Sequence, residues 1–194
     1  DQAWMNPTEA LIRVDRVFNA LHGEYGEDGQ VQGILNHVGV PYTGSGALAS
    51  ALAMNKMAAQ RILEKNGLKM SRSLVLGPHN LDTRVVLAFS APPWIIKPLA
   101  RGSSVGVSKV ETLEGLVPAY KKAFAVDHQI LVQEFIPGRE ITCGVLENAR
   151  GEAQALPPIE IIPPEDALFF DYQVKYNGRT QEICPADFHD AMLT

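Results

Sequence analysis

The sequence predicts an α/β chain whose later half turns to antiparallel, β-rich structure. Three observations carry that reading. Through the first half, short β-prone runs alternate with stretches whose apolar residues recur at helical spacing. In the second half, β-branched pieces are separated only by Gly, Pro and Asn turns. With 46% of its 194 residues hydrophobic and 20% charged, the chain can build a packed core.

Taken in order, residues 16–21 predict a strand, and 30–38 a short helix with Val31, Ile34, Leu35 and Val38 on one face. Residues 40–43 are extended. A long helix is expected over 47–66, with Ser45 as its N-cap, Gly67 as its stop, and Leu48, Ala51, Leu52, Ala59, Ile62 and Leu63 as its apolar stripe. Strands over 72–76 and 94–97 flank a short helix near 81–89. A helix over 111–124 precedes a strand over 129–135. Strand-like pieces follow over 140–146, 153–162 and 180–183. Joints are expected near Gly44-Ser-Gly46 and Pro137-Gly138.

A net charge of −5, without a basic stripe interleaved with aromatics, argues against a nucleic-acid binder. No apolar run approaches the ~20 residues that span a bilayer, so no membrane association is expected. The first residues lack the basic-then-apolar order of a secretory leader, and the absence of an initiator methionine suggests processing or a fragment. Cys143 and Cys184 show no metal-ligand spacing. They are expected to be buried small hydrophobes in a reducing cytoplasm.

Chemistry concentrates in a few segments. Trp94-Ile-Ile-Lys-Pro98 delivers one lysine and runs into Arg101-Gly-Ser-Ser-Val-Gly106. Glycines let backbone N–H groups approach a ligand, hydroxyls donate hydrogen bonds, and the lysine adds a point charge, as a phosphate grip requires. It is not a Walker A loop, since the lysine precedes the glycines, and a Gly-Ser hairpin without ligand has the same composition. His22-Gly-Glu-Tyr-Gly-Glu-Asp-Gly29 follows the first predicted strand, where α/β sheets bind ligands, although a solvated acidic turn reads similarly. Lys56 falls inside the long predicted helix, where most lysines are merely solvated. Gln133-Glu-Phe-Ile-Pro-Gly-Arg-Glu140 offers an extended backbone for an adenine edge and a carboxylate for a ribose; an ordinary charged turn is the other reading. Phe169-Phe-Asp-Tyr-Gln-Val-Lys-Tyr176 sets a lysine among aromatics, which are more often core than site.

Together and in this order, these segments resemble the D-alanine–D-alanine ligases of the ATP-grasp superfamily. The matching text is Val17-Phe-Asn-Ala-Leu-His-Gly-Glu-Tyr-Gly-Glu-Asp-Gly29, Pro41-Tyr-Thr-Gly-Ser-Gly46, Ala51-Leu-Ala-Met-Asn-Lys56, Ile96-Lys-Pro98, Gly102-Ser-Ser-Val-Gly-Val-Ser-Lys109 and Pro137-Gly-Arg-Glu140. Leu156-Pro-Pro-Ile-Glu-Ile161, Asp171-Tyr172, Lys175-Tyr176 and Cys184-Pro-Ala186 complete it. The resemblance spans roughly residues 14–188.

It implies an incomplete ATP-grasp fold. Residues 1–46 would be the remnant of an N-terminal α/β domain on the substrate side, 47–138 the central subdomain and 139–194 the start of a C-terminal one. It also implies roles. Lys56 and Lys97 would hold the α- and β-phosphates of ATP under the loop of Ser103 and Ser104, and Lys175 the γ-phosphate. Gln133, Glu134, Phe135 and Ile136 would frame adenine, and Glu140 the ribose. His22 and Glu27 would lie towards the first D-alanine, while Ser103 and Tyr176 would join two loops over the closed site. The implied reaction has two steps. The first D-alanine's carboxylate takes the γ-phosphoryl group, giving an acyl phosphate and ADP, and the second's amine then displaces phosphate.

The chain departs from the family's pattern at Gln133, where glutamate is frequent, and at Phe170, where tyrosine is. The family's opening glycine-rich strand is not in this sequence, and neither are its later metal-binding carboxylates. No Mg²⁺ (or Mn²⁺) ligand is therefore expected before Thr194, and an internal piece of a longer ligase is expected to be inactive by itself. The resemblance further implies D-alanine and ATP as partners, a cytoplasmic setting, a role in peptidoglycan synthesis and a homodimer at full length. Another ATP-grasp carboxylate–amine ligase and a non-catalytic nucleotide-binding module are the alternatives. Tyr176 favours D-alanine as second substrate, and intact Lys56, Lys97, Lys175 and Glu140 speak against decay.

Overall fold

Trp94, Ile96 and Pro98 are buried while Ile95 and Lys97 between them are only half-buried, the period-two alternation of a strand with core on one face. In the computed structural model, which describes residues 14–164 and 179–187, this strand lies inside a four-stranded sheet. Its strands are β1 (Ser73–Leu76), β2 (Trp94–Pro98), β3 (Ser108–Val110) and β4 (Ile130–Glu134), in the order β1-β4-β2-β3 and antiparallel throughout. The short strand β3 was not foreseen.

One face of the sheet carries the core. Leu76, Trp94, Ile96, Val110, Ile130 and Val132 pack against Leu116, Ala119, Tyr120 and Ala123 of the helix Leu116–Phe124 and against Val86 of the helix Thr83–Phe89. Asp82 caps the latter by accepting from Arg84 N–H at 2.9 Å. The other face presents Ser73, Ile95, Lys97, Leu131 and Gln133, and that is where the chemistry lies.

The helices are α1 (Gln30–Val38), α2 (Ala47–Met54), α3 (Lys56–Lys65), α4 (Thr83–Phe89) and α5 (Leu116–Phe124), the last preceded by a 3₁₀ turn at Leu113–Gly115. The expected helix over 47–66 is two helices. Asn55 sits in extended conformation between them, and its side chain accepts from Ala58 N–H at 3.0 Å, starting a new helix instead of continuing the old one. Gly46, not Ser45, is the N-cap of α2. Leu48, Leu52, Ile62 and Leu63 of the predicted stripe remain exposed among the described residues, whereas Ser50 and Gln60 are buried. Residues 16–21 make no strand; they contribute one parallel bridge, Val17 to Tyr42.

The described residues form two compact units, one ending at Phe135 and the other beginning at Ile136. The second holds β5 (Glu140–Thr142), β6 (Val145–Glu147), β7 (Ala153–Ala155), β8 (Ile159–Ile162) and β9 (Gln181–Ile183), as antiparallel sheets β5-β8-β9 and β6-β7. The expected strands over 140–146 and 153–162 are each broken in two, the second at Leu156-Pro-Pro158, because proline has no N–H for a ladder. Cys143 and Cys184 are both exposed, contrary to expectation; each lies in or beside short strands whose side chains are largely exposed. No described helix is long and apolar enough to cross a membrane.

Candidate functional site

The break at Asn55 decides the position of Lys56. As the first residue of α3, its backbone N–H donates to Leu99 O at 3.1 Å, outside any helical ladder. Its side chain turns the same way, and Nζ donates to Arg101 O at 2.6 Å and Leu99 O at 3.5 Å. Lys56 is thus moored to the segment running from β2 into the Gly-Ser-Ser loop. Burial pushes its ammonium down to about 8, the neighbouring charge of Lys97 pushes the same way, and Asp127 opposes them.

Lys97 reaches this region from the non-core face of β2. Its Nζ donates to Gln133 Oε1 at 2.6 Å, and burial lowers its pKa as well. The two lysines thus come together, and among the described residues neither ammonium is paired with a carboxylate. Two such buried charges suit an anion, which supplies the offsetting charge.

The Gly-Ser-Ser loop is a tight turn, with Val105 N–H donating to Gly102 O and Val107 N–H to Ser104 O, each at 3.3 Å. Ser103 (φ 52°) and Ser104 (φ 55°) are both left-handed, a conformation that costs a non-glycine residue about 1–2 kcal/mol. At Gly106 (φ 75°) a Cβ would stand 2.8 Å from Pro98 Cγ. Lys122 Nζ donates to Val107 O at 2.8 Å and pins the far end of the loop to α5.

The acidic loop meets this one directly. A Cβ at Gly102 would lie 2.9 Å from Gly23 Cα and 3.6 Å from Glu27 Oε2. Glu27 Oε2 accepts from Gly23 N–H at 2.5 Å, so its carboxylate shapes its own loop, while His22 is exposed at the loop's head. Arg101 forms an ion pair with Glu24, and its Nε donates to Val126 O at 2.6 Å. A cleft of about 350 Å³ opens here, lined by Glu24, Asp28, Asn55, Arg101 and Asp127 among others.

Within the first unit the structure thus links Lys97 to Gln133, Lys56 to Lys97 and to the start of the Ser103–Ser104 loop, and that loop to the one carrying Glu27, with His22 exposed beside Gly23. Glu134 and Phe135 close that unit, their backbone N–H groups already donating to Arg72 O at 3.0 Å and Pro93 O at 3.2 Å. Lys109 Nζ stands 4.5 Å from the centre of the Phe135 ring. Ile136 is exposed, and Glu140 lies on β5 of the second unit; Lys175 and Tyr176 fall outside the described residues. Sequence reasoning gave no role to Arg101, Asp127 or Ser73. Of these only Asp127 had a local signal, since Asp-X-Gln before a strand suits an Asx turn; its Oδ1 accepts from Gln129 N–H at 3.3 Å and its Oδ2 from Ala100 N–H at 2.8 Å.

Residues 65–194 match the family described as the D-ala D-ala ligase C-terminus, and residues 2–45 the corresponding N-terminus. A D-alanine–D-alanine ligase of Cupriavidus metallidurans is 45% identical over 184 residues, covering 94% of this chain and 55% of that protein. One from Geobacter sulfurreducens is 43% identical over 192 residues, covering 95% and 58%. Among solved structures, the D-alanyl-alanine synthetase A of Vibrio cholerae superposes with a TM-score of 0.78 at 28% identity, over 92% of this chain and 55% of its own. The VanG D-Ala:D-Ser ligase of Enterococcus faecalis gives 0.77 at 34% identity, over 92% and 52%. The chain spans about half the length of the curated relatives it matches.

Proposed function

The chain belongs to the D-alanine–D-alanine ligase family, and from that premise we propose that this protein joins two D-alanine molecules, driven by ATP, through a D-alanyl phosphate. The observation that carries the reading is the convergence of Lys56 and Lys97, neither held by a carboxylate among the described residues, beside the Ser103–Ser104 turn. Phosphoryl transfer asks a protein mainly for positioned positive charge and hydrogen-bond donors. The lysines would hold the α- and β-phosphates and the loop would cover them. The neighbouring acidic loop, with His22 and Glu27, would receive the amino acid whose carboxylate attacks. Exclusion of water by the two abutting loops would protect an acyl phosphate from hydrolysis.

The remaining parts of the reading rest on the family. Gln133, Glu134, Phe135 and Ile136 would frame adenine, Glu140 would bind the ribose, and Lys175 and Tyr176 would complete the closed site. Among the described residues no group of three or more His, Cys, Asp or Glu is placed to hold a metal, and no step here is routed through Mg²⁺. The proposed setting is the cytoplasm, consistent with free Cys143 and Cys184, and the proposed assembly is a homodimer serving peptidoglycan synthesis.

The test is release of ADP from ATP, dependent on D-alanine, by the protein at its natural length, with the dipeptide identified by mass spectrometry. Release driven equally by L-alanine would overturn the substrate assignment. A second reading takes D-serine as the second substrate, since the VanG D-Ala:D-Ser ligase is a structural neighbour; a mixed dipeptide formed in preference would establish it.

A further inference from the structure

Register places three polar side chains on the non-core face of the sheet. Ser73 on β1 sits directly opposite Gln133 on β4, and Gln133 sits opposite Ile95 on β2, diagonal to Lys97. Directly opposed and diagonal residues on one face are within reach of one another. The side chains use that reach. Gln133 Nε2 donates to Ser73 Oγ at 3.0 Å, Gln133 Oε1 accepts from Lys97 Nζ at 2.6 Å, and Ser73 Oγ donates to Ser71 O at 3.3 Å. The chain of bonds has a direction. With its proton committed to Ser71, the Ser73 hydroxyl can only accept from Gln133, so the amide must turn its NH₂ to Ser73 and its oxygen to Lys97. The opposite orientation would set a donor against an ammonium.

We infer that Ser73 is a positioning residue for the nucleotide site, orienting the Gln133 amide so that Lys97 is aimed at the phosphates while keeping its full charge. The inference rests on the function proposed above. An ammonium has three N–H donors, and the Gln133 oxygen uses one, which fixes the direction of the lysine stem and leaves two for phosphate oxygens. A carboxylate in place of the amide would aim the lysine equally well but would offset the charge that the phosphates need. It would also need no help from Ser73, because both of its oxygens accept. Gln133 therefore has a structural duty besides any contact with adenine, and the family's more frequent glutamate at this position would make Ser73 dispensable.

The experiment is ATP binding by calorimetry, without D-alanine, in the protein at its natural length. It compares Ser73→Val with Ser73→Thr, which have the same shape and suit a strand equally. Ser73→Val should raise the Kd for ATP about threefold to tenfold, the scale of losing one neutral hydrogen bond. Ser73→Thr should restore the parental affinity. The KM for D-alanine should stay unchanged in both, and the fitted ATP stoichiometry should match the parent's, which a general loss of folding would not allow. In a Gln133→Glu background, Ser73→Val should have no further effect on ATP affinity. Equal affinities for Ser73→Val and Ser73→Thr, or an undiminished effect of Ser73→Val beside Glu at 133, would overturn the inference. Should Ser73→Val not fold, Ser73→Ala removes the same hydroxyl and is read by the same criteria. Absence of ATP binding by the parent protein would overturn the proposed function itself, and this inference with it.

Discussion

Gly102 and Gly23 meet backbone to backbone, so closely that a Cβ on Gly102 would stand 2.9 Å from Gly23 Cα. The contact joins the Ser103–Ser104 turn to the loop of His22 and Glu27. Neither glycine could be read as a contact from sequence, because 79 positions separate them (102 − 23).

Gly102→Ala should therefore displace one loop from the other. Backbone rather than a flexible side chain opposes the new methyl, so the loss of stability should be ~1–3 kcal/mol. D-alanine-dependent ADP release should fall with it. Gly138→Ala is the control, since among the described residues nothing lies within 4 Å of a Cβ there. Chemical denaturation of both variants checks this, and equal stabilities would remove the significance assigned to the contact.

Lys97→Ala should weaken ATP binding and cut turnover at least ~10²-fold, the scale of removing one electrostatic stabiliser. Steady-state kinetics decide the matter. Normal kcat and KM for ATP would exclude Lys97 from the nucleotide site.

Lys56 should leave a signature in the pH dependence of stability. Its folded pKa, lowered to about 8 by burial and then by Lys97, lies below the 10.5 of the unfolded chain. Between these values the unfolded state binds more protons, so stability without nucleotide should rise as pH climbs from about 8 towards 10.5. Denaturant titrations across that range should show the rise, and Lys56→Met should reduce it to the part that buried Lys97 contributes. ATP affinity should move oppositely, falling as Lys56 loses its proton. An identical pH slope in Lys56→Met would refute the assignment.

Ser104 allows conformation and hydroxyl to be separated. At φ 55° glycine is the easiest replacement and a β-branched residue the hardest. Ser104→Gly should retain the stability of the parent, whereas Ser104→Val should cost ~1–3 kcal/mol. Both should bind ATP more weakly, having lost the hydroxyl. Thermal unfolding and calorimetry measure the two effects independently, and a stable Ser104→Val would show that the left-handed turn is not required.

Much of the fold was legible in local pattern. Alternating burial on β2 follows from Trp94-Ile-Ile-Lys-Pro98 itself, and α1 lies at Gln30–Val38, the span its apolar spacing predicts. The helix break was not legible: the side chain of Asn55 competes for backbone N–H groups, but the apolar periodicity on either side of it is one that a single helix and two successive helices share.

The sequence by itself determined the family and many of the elements, and it singled out most of the residues proposed for the site, because motif spacing and side-chain period are local properties. Only the tertiary structure decided which of them act on one another. The Ser73–Gln133–Lys97 chain depends on a strand register that joins residues far apart in sequence. The mooring of Lys56 on Leu99 and Arg101, and its lowered pKa, depend on burial and on a second lysine from another strand. Exposed Cys143 and Cys184 make the same point from the other side, since small apolar character predicts burial only where neighbouring elements provide a core. Charge, hydrogen-bond direction and burial act through space, and a linear text does not contain the distances on which they depend.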